Sequence, residues 1–318
     1  MSGSGALSVE RYRPEHKPLW DEFVPRSKNG VFLFFRDYME YHADRFADHS
    51  LLFFHDGRPI ALLPANRIDD SVISHDGLTF GGIVSDDRMK TPLMLELFDA
   101  LREHLAQAGV ARLVYKAIPH IYHRLPAEED LYALARSGAT LVRRDVSSAI
   151  RLVNRIPFRT LRRRKIRAAG AHGLEVRKTD DYATFVEIVA ETLGTKYGQA
   201  PVHTAKELRL LAKRFPENIE LFGAYEGGVM LGGVLVYAGD LVAHAQYISS
   251  SAEGKRLGAL DLIFDYLIHD YYADRQYFDW GTSTNHDGRY LNVPLIDNKE
   301  SFGARAIVHD FYELDCSG

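Results

Sequence analysis

The stretch that most constrains the fold is Val242–Tyr271, where the spacing of apolar residues changes once. Val242, His244, Gln246 and then Tyr247–Ile248 follow the alternation of a half-buried strand. Ser249, Ser250, Ser251, Ala252 and Gly254 make a small-residue loop. Beyond it Leu257, Leu260, Ile263, Phe264, Leu267 and Ile268 recur at helical spacing and predict one apolar stripe. A strand that enters a helix through a Ser/Gly loop points unpaired backbone N–H groups at the loop, and the helix dipole favours negative charge there. Lys255 and Arg256 add positive charge at the same place. The pattern also fits an ordinary strand–helix connection, so its meaning depends on the rest of the chain.

The remaining chain alternates strands and helices. Leu51–His55, the Asp56-Gly57 turn and Pro59–Pro64 predict a hairpin. Asp37–Phe46 has Tyr38, Tyr41, His42 and Phe46 along one side and predicts a helix, and Ser74–Val84 an extended stretch interrupted by glycines. Thr91–Ala108 is the clearest amphipathic helix, stopped by Gly109. Val110–Ile118 and Leu141–Leu152 read as strands with a helix at Glu128–Ser137 between them. The acidic run Glu128–Asp130 follows Pro126 and suits a helix start better than a metal site. The second half offers helices at Tyr182–Leu193 and Thr204–Phe215, the latter with Thr204 and Glu207 as a capping box. Strands at Leu174–Arg177, Ile219–Tyr225, Val229–Tyr237, Gln276–Trp280 and Ala306–Leu314 complete the pattern.

Charge narrows the function classes. Among the chain's 318 residues the net charge is -4, so no global basic field marks a nucleic-acid wrapper. Positive charge concentrates in residues 159–173, where Arg159, Arg162, Arg163, Arg164, Lys165 and Arg167 crowd together. Such a run is commonly a solvated helix face, but arginine also grips phosphate bidentately. The segment lacks the interleaved aromatics of a base-stacking surface. The single cysteine, Cys316, permits no internal disulfide and no cysteine-based metal site, and the histidines show no ligand spacing, so no metal is expected. The first residues lack a signal-peptide core and no apolar run spans a bilayer, so a cytoplasmic protein without membrane insertion is expected.

Several blocks resemble the FemAB-like transferases of the GNAT superfamily, which carry two GNAT-like domains in tandem. They are Gln246-Tyr247, Gly254-Lys255 with Gly258–Asp261, Phe278-Asp279-Trp280-Gly281 and Asn298–Gly303, and the arginine run resembles the segment that precedes the second domain. Ser74–Gly82 and Ile118–Leu134 resemble a subgroup associated with cell-surface polysaccharide biosynthesis. The resemblance implies an α/β (α+β) fold of two tandem GNAT-like domains, residues 1–155 and 156–318, each a mixed, mostly antiparallel sheet flanked by helices. It also implies N-acyl transfer. One departure matters: the acetyl-CoA signature Gln/Arg-x-x-Gly-x-Gly/Ala is degenerate here. Anchoring it on Gly258 puts Lys255 first and Leu260 last; anchoring it on Gly254 puts Ser251 first and Arg256 last. The acyl donor is therefore acyl-CoA, acetyl-CoA first among them, or aminoacyl-tRNA.

Acyl transfer to an amine needs a base for the amine proton and donors for the tetrahedral oxyanion. His244, two residues before Gln246 on one strand, is a base candidate. Asp279, at the end of an apolar strand, is a second catalytic candidate whose bland role is to cap the next loop. Lys299 lies in a Lys-x-x-Phe-Gly segment resembling one that supplies a functional lysine in FemAB-like enzymes. Ser249, Ser250, Gly254, Lys255, Arg256 and Gly258 are candidates for the donor's phosphate end, and Arg163, Arg164, Arg167, His75, His120, Gln246 and Tyr247 for the acceptor. The expected acceptor is a small molecule or nucleotide sugar, namely the amine of an amino sugar or related envelope precursor. The alternatives are an aminoacyl-tRNA-dependent amide synthesis, with tRNA as a partner, and a non-catalytic anion- or RNA-binding protein. Oligomeric state is not legible.

Overall fold

The computed structural model describes residues 6–197 and 201–317, with the side chains of 195–197 excepted. The chain divides into two compact units, one made of 1–145, 286–290 and 308–318, the other of 146–285 and 291–307. Among the described residues no helix is long and apolar enough to cross a membrane, and no group of three or more His, Cys, Asp or Glu is arranged to hold a metal ion.

In the first unit β1 (Leu7–Arg11), β2 (Leu51–His55), β3 (Arg58–Leu63) and Val84–Ser85 form an antiparallel sheet. The expected hairpin is β2–β3, and Asp56 and Gly57 at its turn both have positive φ, 50° and 72°. A second sheet contains β4 (Ser71–Ile73) running parallel to β5 (Arg112–Lys116), with helix α2 (Thr91–Gln107) between them in sequence and α1 (Lys17–Arg26) before them. Met94, Leu97, Phe98, Leu101 and Leu105 of α2 are buried among Leu51, Phe53, Leu63 and Leu113. Each such side chain contributes about 1.5–3 kcal/mol of burial. Helix α3 (Glu129–Arg136) leads into β6 (Thr140–Arg151).

Two expectations fail here. The helix predicted over Asp37–Phe46 is one α turn, Arg36–Met39, followed by a 3-10 turn at Glu40–His42. Tyr38, Tyr41, His42 and Phe46 instead form a chain of edge-on and tilted ring contacts that reaches His75. The extended stretch predicted over Ser74–Val84 folds back on itself. A Cβ on Gly81 would sit 1.9 Å from the Ser74 carbonyl oxygen, so only glycine fits there. The returning backbone fills the space beyond the β4–β5 pair: Ser74 N–H donates to Val114 O (2.9 Å), Lys116 N–H to Ser74 Oγ (2.7 Å), and Gly81 N–H to Lys116 O (3.0 Å).

The second unit is a sheet in the order β7 (Glu175–Thr179), β8 (Ile219–Glu226), β9 (Val229–Ala238), β10 (Val242–Ser250), β11 (Tyr277–Thr282) and the end of β6. All pairs are antiparallel except β10–β11. The helices are α4 (Thr160–Ala171), α5 (Tyr182–Tyr197), α6 (Ala205–Arg214), α7 (Ala252–Leu257), α8 (Ala259–Tyr266) and α9 (Val293–Glu300). Strand β12 (Arg305–Asp315) starts in this unit and from Val308 belongs to the first. The Thr204–Glu207 capping box forms as expected. The expected small-residue loop starts later than predicted, because Ser249 and Ser250 pair with Gly233 and Gly232 and extend β10. The predicted single helical stripe is broken at Gly258, whose φ of +80° separates α7 from α8, and Leu267–Tyr271 ends the stripe as a π turn.

Candidate active site

Parallel strands β10 and β11 are paired at Val242–Tyr277, Ala243–Phe278 and His244–Asp279. Past that point their walls open onto a cavity of about 430 Å³, lined by Ile248, Ser249 and Ser250 on one side and Trp280 on the other. α4, α7, α8 and α9 close it with Arg162, Lys165, Gly254, Lys255, Gly258 and Lys299, among others. α4 lies close over the α7–α8 break, where a Cβ on Gly258 would come 3.5 Å from Ala169 Cβ. Ser251 caps α7 by accepting from Gly254 N–H at 3.0 Å. Ser250 Oγ and Trp280 Nε1 are buried and have no hydrogen-bond partner among the described residues.

Alternation along the strands separates two faces. Phe278 and Trp280 pack with Phe264 and Phe302 into the core, at ring-centroid distances of 5.3 to 6.0 Å. Asp279 between them faces the other way and is fully buried. There His244 Nδ1 bonds Asp279 Oδ2 at 2.6 Å. Ser147 Oγ donates to Asp279 Oδ1 at 2.6 Å, and Gly281 N–H reaches the same oxygen at 3.3 Å. With Nδ1–H given to the carboxylate, Nε2 carries the lone pair, which is the tautomer a base needs. The loop-capping role weighed for Asp279 is present as the Gly281 contact, in addition to the histidine bond.

Lys299 is 4% exposed and its ammonium donates to Gly281 O (2.8 Å), Thr282 O (2.9 Å) and Ser283 Oγ (2.8 Å). An ammonium has three N–H groups, and all are given to neutral acceptors. Burial pulls its pKa down to about 8, against the opposing pull of Asp279.

Of the donor-side candidates, Ser249, Ser250, Gly254, Lys255 and Gly258 line the cavity, whereas Arg256 lies on the surface in a pair with Glu253 (2.5 Å). The arginine run forms α4, and its spacing sorts it into two faces. Arg162, Ile166 and Ala169 face inward and the exposed Lys165 lines the cavity, whereas Arg163, Arg164 and Arg167 are exposed away from it. Arg162 pairs with Asp261, bonds Asn298 and Ser301, and stacks 4.2 Å over the Phe302 ring. Sequence reading missed Arg162 and Lys165 as cavity residues, although the helical period of the run contained the signal. It missed Ser147 because nothing in the sequence ties that residue to Asp279.

The acceptor candidates are dispersed. Gln246 is the extra residue of a bulge, since Leu235 faces Tyr247 and Val236 faces Ala245. Its Oε1 is buried without a partner among the described residues. Tyr247 shares a 2.6 Å hydrogen bond with His203 Nδ1, and burial pushes its phenol up to about 12. His75 and His120 belong to the first unit. His75 is buried at φ +57° with its ring stacked on His42, and His120 is exposed at the start of a 3-10 turn.

Strands β10 and β11 thus part after the His244–Asp279 pair, and the cavity beyond their paired stretch carries Arg162, Lys165, Lys255 and Lys299 on its wall. In comparison with known proteins, residues 158–290 match the acetyltransferase (GNAT) domain family. No curated protein matches the sequence. The crystal structure of FemX superposes with a TM-score of 0.68 at 12% identity, covering 98% of each chain. L-PGS from Bacillus licheniformis gives 0.60 at 13% identity over 97% of this chain and 94% of that one. A tandem GNAT protein from the clavulanic acid biosynthesis pathway gives 0.52 at 13% identity over 98% and 99%. At such identities the likeness is one of fold, and the fold is the tandem GNAT-like one. Residues 158–290 thus carry an acetyltransferase (GNAT) domain, set within a tandem GNAT-like fold.

Proposed function

We propose that the second unit transfers an acyl group from acyl-CoA to the amine of an amino sugar or related envelope precursor, with His244 as the base. The observation that carries this reading is the His244–Asp279 couple at the last paired position of β10 and β11, on the strand face opposite the Trp280 side that lines the cationic cavity. Lys165 and Lys255 on the cavity wall suit the phosphates of the donor, and Ser250 Oγ and Trp280 Nε1 suit the amide or carbonyl oxygens of its arm. In the reaction the amine nitrogen attacks the thioester carbon. The N–C bond forms, the C–S bond breaks, the amine proton passes to His244 Nε2, and the departing thiolate takes up a proton. The acceptor class rests on the sequence resemblance of Ser74–Gly82 and Ile118–Leu134.

The test is thiol release from acetyl-CoA in the presence of nucleotide-diphosphate amino sugars. Amine-dependent release that disappears in His244→Gln is expected. A second reading, with aminoacyl-tRNA as donor, is favoured by one observation, the exposed arginine face of α4 (Arg163, Arg164, Arg167). Transfer from aminoacyl-tRNA, with none from acetyl-CoA, would replace the first reading by this one.

A further inference from the structure

Strand β11 departs from regular pairing next to the His244–Asp279 couple. Asp279 faces Ala149 on β6, but the next pair is Thr282 with Ser147, so β11 spends one more residue than β6 over this interval. Gly281 absorbs the bulge with φ +73°. Bulges of this kind bend a strand and re-aim a side chain. Here the bulged backbone is held on both sides. Gly281 N–H points at Asp279 Oδ1 while Gly281 O accepts from Lys299, which also takes Thr282 O and Ser283 Oγ. From β6, the fully buried Ser147 fixes the same carboxylate oxygen, leaving Oδ2 for His244.

We propose that Ser147 and Lys299 are positioning residues that clamp the bulged Gly281–Ser283 turn and the Asp279 carboxylate, and so set the orientation and tautomer of His244. Lys299 then acts through the Gly281 peptide, not by donating to the acyl oxygen. The importance of this clamp for turnover rests on the base reading above; the clamp itself does not.

The experiment is proton NMR of the free protein, following the imidazole Nδ1–H of His244. A bond of 2.6 Å to a buried carboxylate gives a far-downfield, slowly exchanging signal, assigned by its absence in His244→Gln. Ser147→Ala, which removes only the hydroxyl, should shift that signal and speed its exchange with water by about tenfold or more. Lys299→Met should do the same from the other side. Arg162→Gln, which alters the cavity wall without touching the turn, should leave it in place. An unchanged signal in both Ser147→Ala and Lys299→Met overturns the proposal. So does an equal change in Arg162→Gln, since the effect would then be general loosening. With the acetyl-CoA assay, Ser147→Ala should lower kcat with little change in donor KM, and should lower it no further in a His244→Gln background. Further loss in that background would also overturn the clamp. An intact signal response without any acetyl-CoA turnover would sink the proposed reaction and leave the clamp standing.

Discussion

Both units contain the same short device, two parallel strands paired at three positions and joined through helical chain, and they treat the space beyond it in opposite ways. In the first unit the chain after β4 turns back, and its own backbone occupies that space through Ser74 and Gly81. In the second unit β10 runs on to Ser250, Ser251 caps a short helix, and the space stays open as the cavity. Each unit also buries a lysine beside the device, with its pKa lowered to about 8 chiefly by burial. Lys116 donates to the carbonyls of His75 and Leu78, and Lys299 to those of Gly281 and Thr282. The difference teaches that the loop leaving the first parallel strand decides whether packed chain or an open cavity lies beyond the pair.

The largest expected effect separates the units by acid. In the first unit burial lowers His75 to about 3, and His49 and His123 to about 4, from an ordinary 6.5. A histidine whose folded pKa is depressed binds a proton more readily in the unfolded chain, so its penalty grows as pH falls below 6.5 and is complete only below the folded value. These histidines should therefore take several kcal/mol from the first unit between about pH 6.5 and 4, partly offset by Asp130, whose carboxyl burial raises to about 6 and which gains stability over the same range. In the second unit His244 and His269 instead rest on Asp279 and Asp265. Amide hydrogen exchange at pH 7 and pH 5 should show protection falling first in the first unit; simultaneous loss would break the contrast.

Next in size is turnover. His244→Gln should lower kcat roughly 10²–10⁴-fold with little change in melting temperature. A fall below tenfold would mean that the open site works without this base.

The core-side counterpart is Lys116→Met. It leaves the His75 and Leu78 carbonyls without their donor and should cost about 1–3 kcal/mol in urea unfolding while transfer stays unchanged. Lost transfer in a stable variant would show that the filled unit takes part in the chemistry.

Smallest is Lys255→Ala. As an exposed charge on the cavity rim it should raise the donor KM about 1.5–5-fold and leave the melting temperature where it was. An unchanged donor KM would remove Lys255 from the donor's path.

Local signals made part of this legible. The Asp56-Gly57 turn, the Thr204–Glu207 capping box and the strand from Val242 each need only a few neighbouring residues, and each appears in the structure, although the bulge at Gln246 interrupts the strand's alternation. The residues around Asp279 were hidden for the opposite reason. Ser147 reaches it across a strand pair, and the bulge at Gly281 is a mismatch between two strands, which neither strand encodes alone. The ring cluster from Tyr38 to His75 overrode helical spacing with contacts made far along the chain. The sequence reading put a single boundary at 155/156, whereas each compact unit takes up chain from more than one stretch. Apolar periodicity reports which face is buried and is silent about which unit a returning strand joins.

That return has a consequence for how the protein is made. Phe311–Asp315 of β12 pair with Lys116–Arg112 of β5, so one edge of β5 has no partner until the strand that lies far downstream in sequence has been translated. At about 5–20 residues per second the interval is on the order of 10–40 s. During that time the nascent chain presents an open, apolar strand edge of the kind that recruits other strands. Ribosome-bound chains stopped before Val308 should therefore depend on holdase chaperones, and released chains that include Asp315 should not.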